Sequence, residues 1–239
     1  MQTHTYLDYI NKTINELATT QTHAIDAASV CIADALAREN RVFAFGSGHS
    51  HMIAEEFYAR AGGLASIEAI LPPELMLHGT VGKSTQIERI SGYAKPILEL
   101  HNPRAGDVII VTSNSGRNNV PVEMCLEAKA LGMHVIAITS LKHSGHTTSR
   151  HESGLRMFEI ADITIDNLSP AGDAAFYIEG FETPTGALSN IIGLTIAQTL
   201  VVNVVDELVR KSIVPPVFKS SNLDGADAYN DALFDTYLR

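Results

Sequence analysis

The residues best placed to do chemistry lie in one stretch, Asp107 to Asn119, reading DVIIVTSNSGRNN. Its first part, Asp107 to Val111, follows Gly106 and is rich in β-branched residues, as in a strand buried on both faces. Thr112, Ser113, Asn114, Ser115 and Gly116 then form a polar cluster, and a helix opens at Asn118 or Asn119. A polar loop between the C-terminal end of a parallel strand and the N-terminal end of a helix is where open α/β sheets bind ligands. Free backbone N–H groups and the positive end of the helix dipole point into it, and serine hydroxyls add donors. The natural guest is a phosphate. The plainer alternative is a turn whose serines cap the helix, a task for one such residue.

A second constellation, GSGHS at residues 46–50, follows the apolar run Arg41 to Phe45 and leads into another helix. It is not a dinucleotide fingerprint, because GxGxxG needs glycine where His51 stands. Glu68, at the distance of the ribose-binding acid, keeps a nucleotide in play, but the second polar loop suits a compact phosphosugar better. GTVGKS at 79–84 imitates the end of a P-loop without a buried strand before it, and GSGHS is not the GxSxG of a hydrolase. His49, His51 and Glu55 have spacing that a metal could use, with His51 and Glu55 one turn apart. Such a trio is more often structural or substrate-facing, so neither metal nor cofactor is expected. Ser50 is either a ligand-facing hydroxyl or a helix cap. The loop 71–85 carries Glu74, His78 and Lys83, which together could supply acid, base and charge.

The loop TSNSG resembles the serine-rich phosphate loop of the sugar isomerase (SIS) domain family, and FAFGSGHSHMIAEEF at 43–57 resembles that family's first strand, loop and helix. The likeness covers roughly residues 38 to 211; within the family it resembles phosphoheptose isomerases and is nearest to an uncharacterised branch. It implies that Ser113, Asn114, Ser115 and Asn118 hold a phosphate while Ser47, Gly48, His49 and Ser50 line the sugar. It also implies an aldose–ketose isomerase, which needs one group to move a proton between C1 and C2 and another to move one between O1 and O2. Glu55 and Glu56 resemble the family's acid pair, arriving one helical turn earlier, and as sequence neighbours they cannot both face one pocket. The histidine that the family carries on its last long helix has no counterpart in residues 184–211. His49, His51 and His78 are the candidates in its place, and Glu74 is a further acid. Etherase, deaminase and non-catalytic regulatory roles use the same pocket and stay open.

Alternating strand and helix patterns must position these loops. Strands are predicted at 41–45, 64–70, 107–111, 134–139 and 161–166. Helices are predicted at 50–61, 86–101, from 118 or 119 onward, and from Thr183-Pro184 through the apolar run 187–205, with 167–182 as a loop between. Residues 5–38 form one helix, or two with a joint near Thr19-Thr20, and a short helix ends the chain. The expected architecture is a three-layer α/β sandwich around a five-stranded parallel, flavodoxin-like sheet of order 2-1-3-4-5, with extra N-terminal helices. The whole chain, 1–239, reads as one domain: a helical arm (1–39), an α/β core (40–211) and a tail (212–239).

A net charge of −10 on 239 residues argues against nucleic acid and anionic membranes as partners. The first residues contain no apolar leader, and Cys31 and Cys125 sit in apolar helical patterns, so a reduced, cytoplasmic protein is expected. Residues 187–205 are apolar over a membrane-spanning length. Ser189, Asn190, Gln198 and Asn203 interrupt them, so the helix is read as buried in protein, with a second subunit covering one side. A homodimer or homotetramer follows, and a phosphosugar is the small-molecule partner.

Overall fold

The β-branched runs become five parallel strands in a computed structural model of the chain: β1 (Val42–Gly46), β2 (Ile67–Ile70), β3 (Val108–Thr112), β4 (His134–Thr139) and β5 (Ile163–Asp166), ordered β2-β1-β3-β4-β5. The expected order and parallel sense are thus found. Residues 3–80 and 82–237 are described; Val81, in the 71–85 loop, and the two residues at each terminus lie outside them.

Each inner strand feeds two cores because successive side chains point to opposite faces. Val42, Ala44, Val108, Ile110, Ile136 and Ile138 pack under the helices α1 (Thr3–Thr20), α2 (Thr22–Ala37), α3 (His51–Phe57) and α9 (Ser189–Arg210). Phe43, Phe45, Ile109, Val111, Val135 and Ala137 pack under α5 (Ala94–Glu99), α6 (Asn119–Ala130) and α8 (Met157–Ile160). These are the three expected layers. The shorter elements are α4 (Lys83–Ile87), α7 (Leu141–Ser144), the hairpin strands β6 (Ala174–Ile178) and β7 (Phe181–Ala187), and the terminal α10 (Ala226–Tyr237).

Four local expectations need correction. The helix expected at 50–61 ends at Phe57, because residues 62–65 pair with the tail instead. Gly62 N–H donates to the Phe218 carbonyl, Phe218 N–H to Gly63, and Ala65 N–H to Pro216. The helix expected at 86–101 is two short ones, α4 and α5. Between them Gly92 takes φ +77° and donates its N–H to Glu123 Oε1 at 2.8 Å. Residues 167–182 are not all loop: Ile178 pairs with Phe181 in an antiparallel hairpin, and Tyr6 meets Phe176 edge-to-face at 5.8 Å. Thr183-Pro184 therefore lies in β7 and does not start the apolar helix. That helix begins at Ser189, where Asp173 accepts the N–H groups of Leu188 (3.1 Å) and Ser189 (2.7 Å), a cap supplied from outside the helix.

The apolar helix α9 buries Ile192, Ile196, Leu200, Val204 and Leu208 against α2 and the sheet. Its opposite side leaves Val202 65% and Val209 57% exposed. It is long and apolar enough to cross a membrane by length and composition, and 44% of its most apolar window is buried in the fold.

One buried carboxylate aligns the two strands that carry the candidate loops. Asp107, with no exposed surface, accepts the N–H groups of Arg41 at 2.9 Å and Arg104 at 2.7 Å. Its backbone continues the ladder, since His134 N–H donates to its carbonyl at 2.8 Å. Asp107→Ala leaves those donors without an acceptor and is expected to lower stability by about 1–3 kcal/mol. A urea midpoint equal to that of the unaltered protein would refute this role.

Candidate functional site

Gly46 ends β1 opposite Thr112, which ends β3, so the loops that follow leave the sheet side by side at its C-terminal edge. The first loop folds back sharply. A Cβ on Gly46 would stand 2.3 Å from the Ser50 carbonyl oxygen, a separation only glycine permits. Gly48 then takes φ +57° and a single 3-10 turn leads into α3. Ser50 makes no side-chain cap bond, so its hydroxyl is not used as the plainer reading supposed.

The second loop is a cradle of donors. Among the described residues, the backbone N–H groups of Asn114, Ser115, Arg117, Asn118 and Asn119 enter no hydrogen bond within the chain. Gly116, at φ +56°, turns the chain among them, and a run of unbonded backbone N–H groups at the start of a helix is the material of an anion nest. Among the described residues the Ser115 hydroxyl has no hydrogen-bond partner. Ser113 is buried, and its Oγ accepts the Gly116 N–H at 3.2 Å, which shapes the loop from inside. The Asn114 carboxamide is also turned inward: its Oδ1 accepts from Asn167 Nδ2 (3.1 Å) and Ser169 Oγ (2.6 Å). Asn118 occupies the N-cap position of α6 without capping it; its Oδ1 accepts from Arg150 Nη1 at 2.8 Å. Thus Ser115 and the backbone N–H groups are left for a ligand among the described residues, while Ser113 and Asn114 hold the loop in shape.

Ser47 is buried and donates its hydroxyl to Glu88 Oε1 at 2.9 Å. Glu88 follows α4 directly, and its carbonyl accepts the Val120 N–H at 3.0 Å. One acid therefore ties the first loop to the start of the helix behind the second. Sequence patterning placed Glu88 inside a continuous helix and missed it; Ser91-Gly92 was the available sign that the helix breaks just beyond. Arg150, Asn167 and Ser169, from irregular segments, were missed as well, since only the folded chain brings them to residues 114–118.

The six acid and histidine candidates divide. His51, 3% exposed, donates Nδ1–H to the Gly48 carbonyl, which can only accept, so Nε2 is the nitrogen left for another partner. That nitrogen lies 3.5 Å from Glu55, and the His51 and His78 rings meet at 5.4 Å. His51, Glu55 and His78 thus gather beside the first loop. His49 is exposed, and its carbonyl accepts from Asn190 Nδ2 at 3.2 Å. Glu56 turns the other way, to Arg60 and to Gln198 Nε2 at 2.8 Å on α9. Glu74 turns toward the outer edge of β2, where burial and this carboxylate push the Tyr93 phenol pKa up.

Loops that leave neighbouring strands at such a reversal of strand order flank the crevice where open α/β sheets take their ligands. A cavity of about 340 Å³ lies at the opposite end of the sheet, among Leu36, Arg41, Ser66, Leu208 and Tyr237, with no residue of either loop in its lining.

Residues 5–140 match the SIS domain. A UPF0309 protein from Halalkalibacterium halodurans is 51% identical over 234 residues, spanning 98% of this chain and 97% of its own. Another, from Caldanaerobacter subterraneus, is 41% identical over 237 residues, spanning 98% of this chain and 96% of its own. Among solved structures, a phosphoheptose isomerase from Neisseria gonorrhoeae superposes with a TM-score of 0.60 at 18% identity, covering 86% of this chain and 97% of its own. At that identity the likeness is one of fold.

The close return of the first loop gives a direct test. Gly46→Ala is expected to cost about 1–3 kcal/mol through overpacking against the Ser50 backbone. It should also move residues 47–50, seen as amide shifts confined to that loop and its neighbours. An unperturbed spectrum and unchanged stability would contradict the geometry.

Proposed function

The chain belongs to the SIS domain family, and from that premise we propose that it binds a phosphorylated sugar and interconverts its aldose and ketose forms through an enediolate. The observation that carries this reading is the pairing of an anion nest at Ser113–Asn119 with a carboxylate, Glu88, held by Ser47 between the two loops. The nest takes the phosphate, with Ser115 adding a hydroxyl, and Gly48, His49 and Ser50 line the sugar.

In this reading Glu88 is the base that moves the proton between C1 and C2. It has the two requirements of that role, a fixed position and an ionisable oxygen beyond the one Ser47 binds. The His51–Glu55–His78 group stands beside the same loop and serves the transfer between O1 and O2. Glu56 and Glu74, engaged elsewhere, have no part in it. The chain acts as a homodimer or larger homo-oligomer in which the bare side of α9, with Val202 and Val209, is covered by a second subunit. Exposed apolar strips of this kind mark interfaces. A monomeric mass by light scattering at micromolar concentration would overturn the assembly.

The chemistry is tested by calorimetry with a panel of sugar phosphates, followed by NMR of deuterium exchange at C2. Ser115→Ala is expected to weaken binding by about 1–3 kcal/mol, the scale of a charge-assisted hydrogen bond. Glu88→Gln should slow C2 exchange on the order of 10²–10⁴-fold and leave affinity nearly intact. Binding without exchange in the unaltered protein would retire the isomerase and leave a phosphosugar-binding role.

A further inference from the structure

We infer that a second anion subsite adjoins the phosphate nest, formed by Arg89, Arg117 and Arg150, so that the sugar bound here carries a second anionic group beside its phosphate. The inference rests on the phosphate site proposed above and narrows the class of sugar that fills it.

All three arginines are anchored on the residues that open α6. The Arg89 carbonyl accepts from Asn119 Nδ2 at 2.9 Å, and Arg150 N–H donates to the Arg117 carbonyl at 2.8 Å. The Arg150 guanidinium reaches Asn118 Oδ1, drawing that side chain off its capping role. Arg41, Arg60, Arg156 and Arg210 each meet a carboxylate. Among the described residues, Arg89, Arg117 and Arg150 form no ion pair. Desolvation and the repulsion of Arg117 and Arg89 hold the Arg150 pKa below its usual value, with Glu88 offsetting only part. Arg117 Nε is buried without a hydrogen-bond partner, although its Nη2 donates to Thr148 Oγ1 at 3.4 Å. Buried donors of this kind are rarely left unmet.

A protein of net charge −10 has acids to spare, yet among the described residues none pairs with this cluster; Glu88 acts on Arg150 only from a distance and already accepts from Ser47. The nest has backbone donors enough for one phosphate, and beside it Arg117 reaches Thr148, Arg150 reaches Asn118, and Arg89 stands near enough to repel Arg150. Guanidinium forks match the paired oxygens of phosphoryl and carboxylate groups. The ligand chemistry that fits is therefore a sugar phosphate with a neighbouring phosphoryl or carboxylate group.

The test compares inorganic phosphate with pyrophosphate by calorimetry on the full chain, at one pH and ionic strength, for the unaltered protein and for Arg89→Gln and Arg150→Gln. Both arginines are exposed, and thermal melts confirm that the variants fold. Pyrophosphate is expected to bind on the order of tenfold tighter than phosphate, the scale of a hydrogen bond to a charged group. Each variant should erase that advantage; Arg89→Gln should also leave phosphate binding within about twofold, since its side chain bonds no residue of the nest, whereas Arg150 holds Asn118 Oδ1. If both anions weaken in the same proportion in Arg89→Gln, the arginines hold the single phosphate and the second subsite is overturned. Glucose 6-phosphate against 6-phosphogluconate then separates a carboxylate from a phosphoryl group as the second anion. Failure of the phosphate site itself has a different signature: Ser115→Ala would leave the affinity for inorganic phosphate unchanged.

Discussion

Gly46 and Thr112 face each other on the last rung of the β1–β3 ladder, and both strands leave the sheet from that rung. The order of the sheet reverses there, so the crossovers from the two strands go to opposite faces and the loops open away from each other. Asp107 fixes the other end of the same ladder through Arg41 and Arg104. A shift of one residue along either strand would exchange its two buried faces and move every donor in the loop beyond it. The geometry of the cleft is therefore set by strand register, with the loop sequences deciding only what fills it.

Within the cleft, polar side chains divide into those that face outward and those that build the frame. Ser113, Asn114 and Ser47 are small and polar in the manner of ligand contacts, yet each is used at least partly within the protein: on Gly116, on Asn167 and Ser169, and on Glu88. The outward-facing donors are mostly backbone N–H groups, which carry no side-chain signature. Substitution data on the loop will thus mix loss of contact with loss of shape, and Ser115 is the position where the two are best separated.

How much of this was legible in the sequence follows from the range of the interactions involved. The strands were readable because burial on both faces forces runs such as Val108 to Val111, and the two loops because small polar residues follow those runs directly. The hairpin at 174–187 was missed because its strands are largely exposed and lack the alternation of a half-buried sheet. The start of α9 was misplaced because its cap is Asp173, beyond the intervening hairpin, while Thr183-Pro184 offered a plausible local cap. Glu88 and Arg150 lay in segments whose pattern gave no reason to bring them to the cleft. Contacts between elements, set by the closed fold, decided each of these cases.

The pairing of residues 62–65 with 216–218 joins the first βα unit to a segment near the end of the chain. During synthesis, the stretch leading into β2 emerges long before the tail that binds it. Such distant contacts raise contact order and are made late, after the loop between them has been closed at an entropic cost. Until residues 216–218 leave the ribosome, the backbone just before the edge strand β2 lacks its partner, and unpaired edges of that kind invite pairing with other chains. The tail thus acts as a completion step: a chain that stops short of Pro216 would retain the cleft's residues and still present an unfinished, association-prone border.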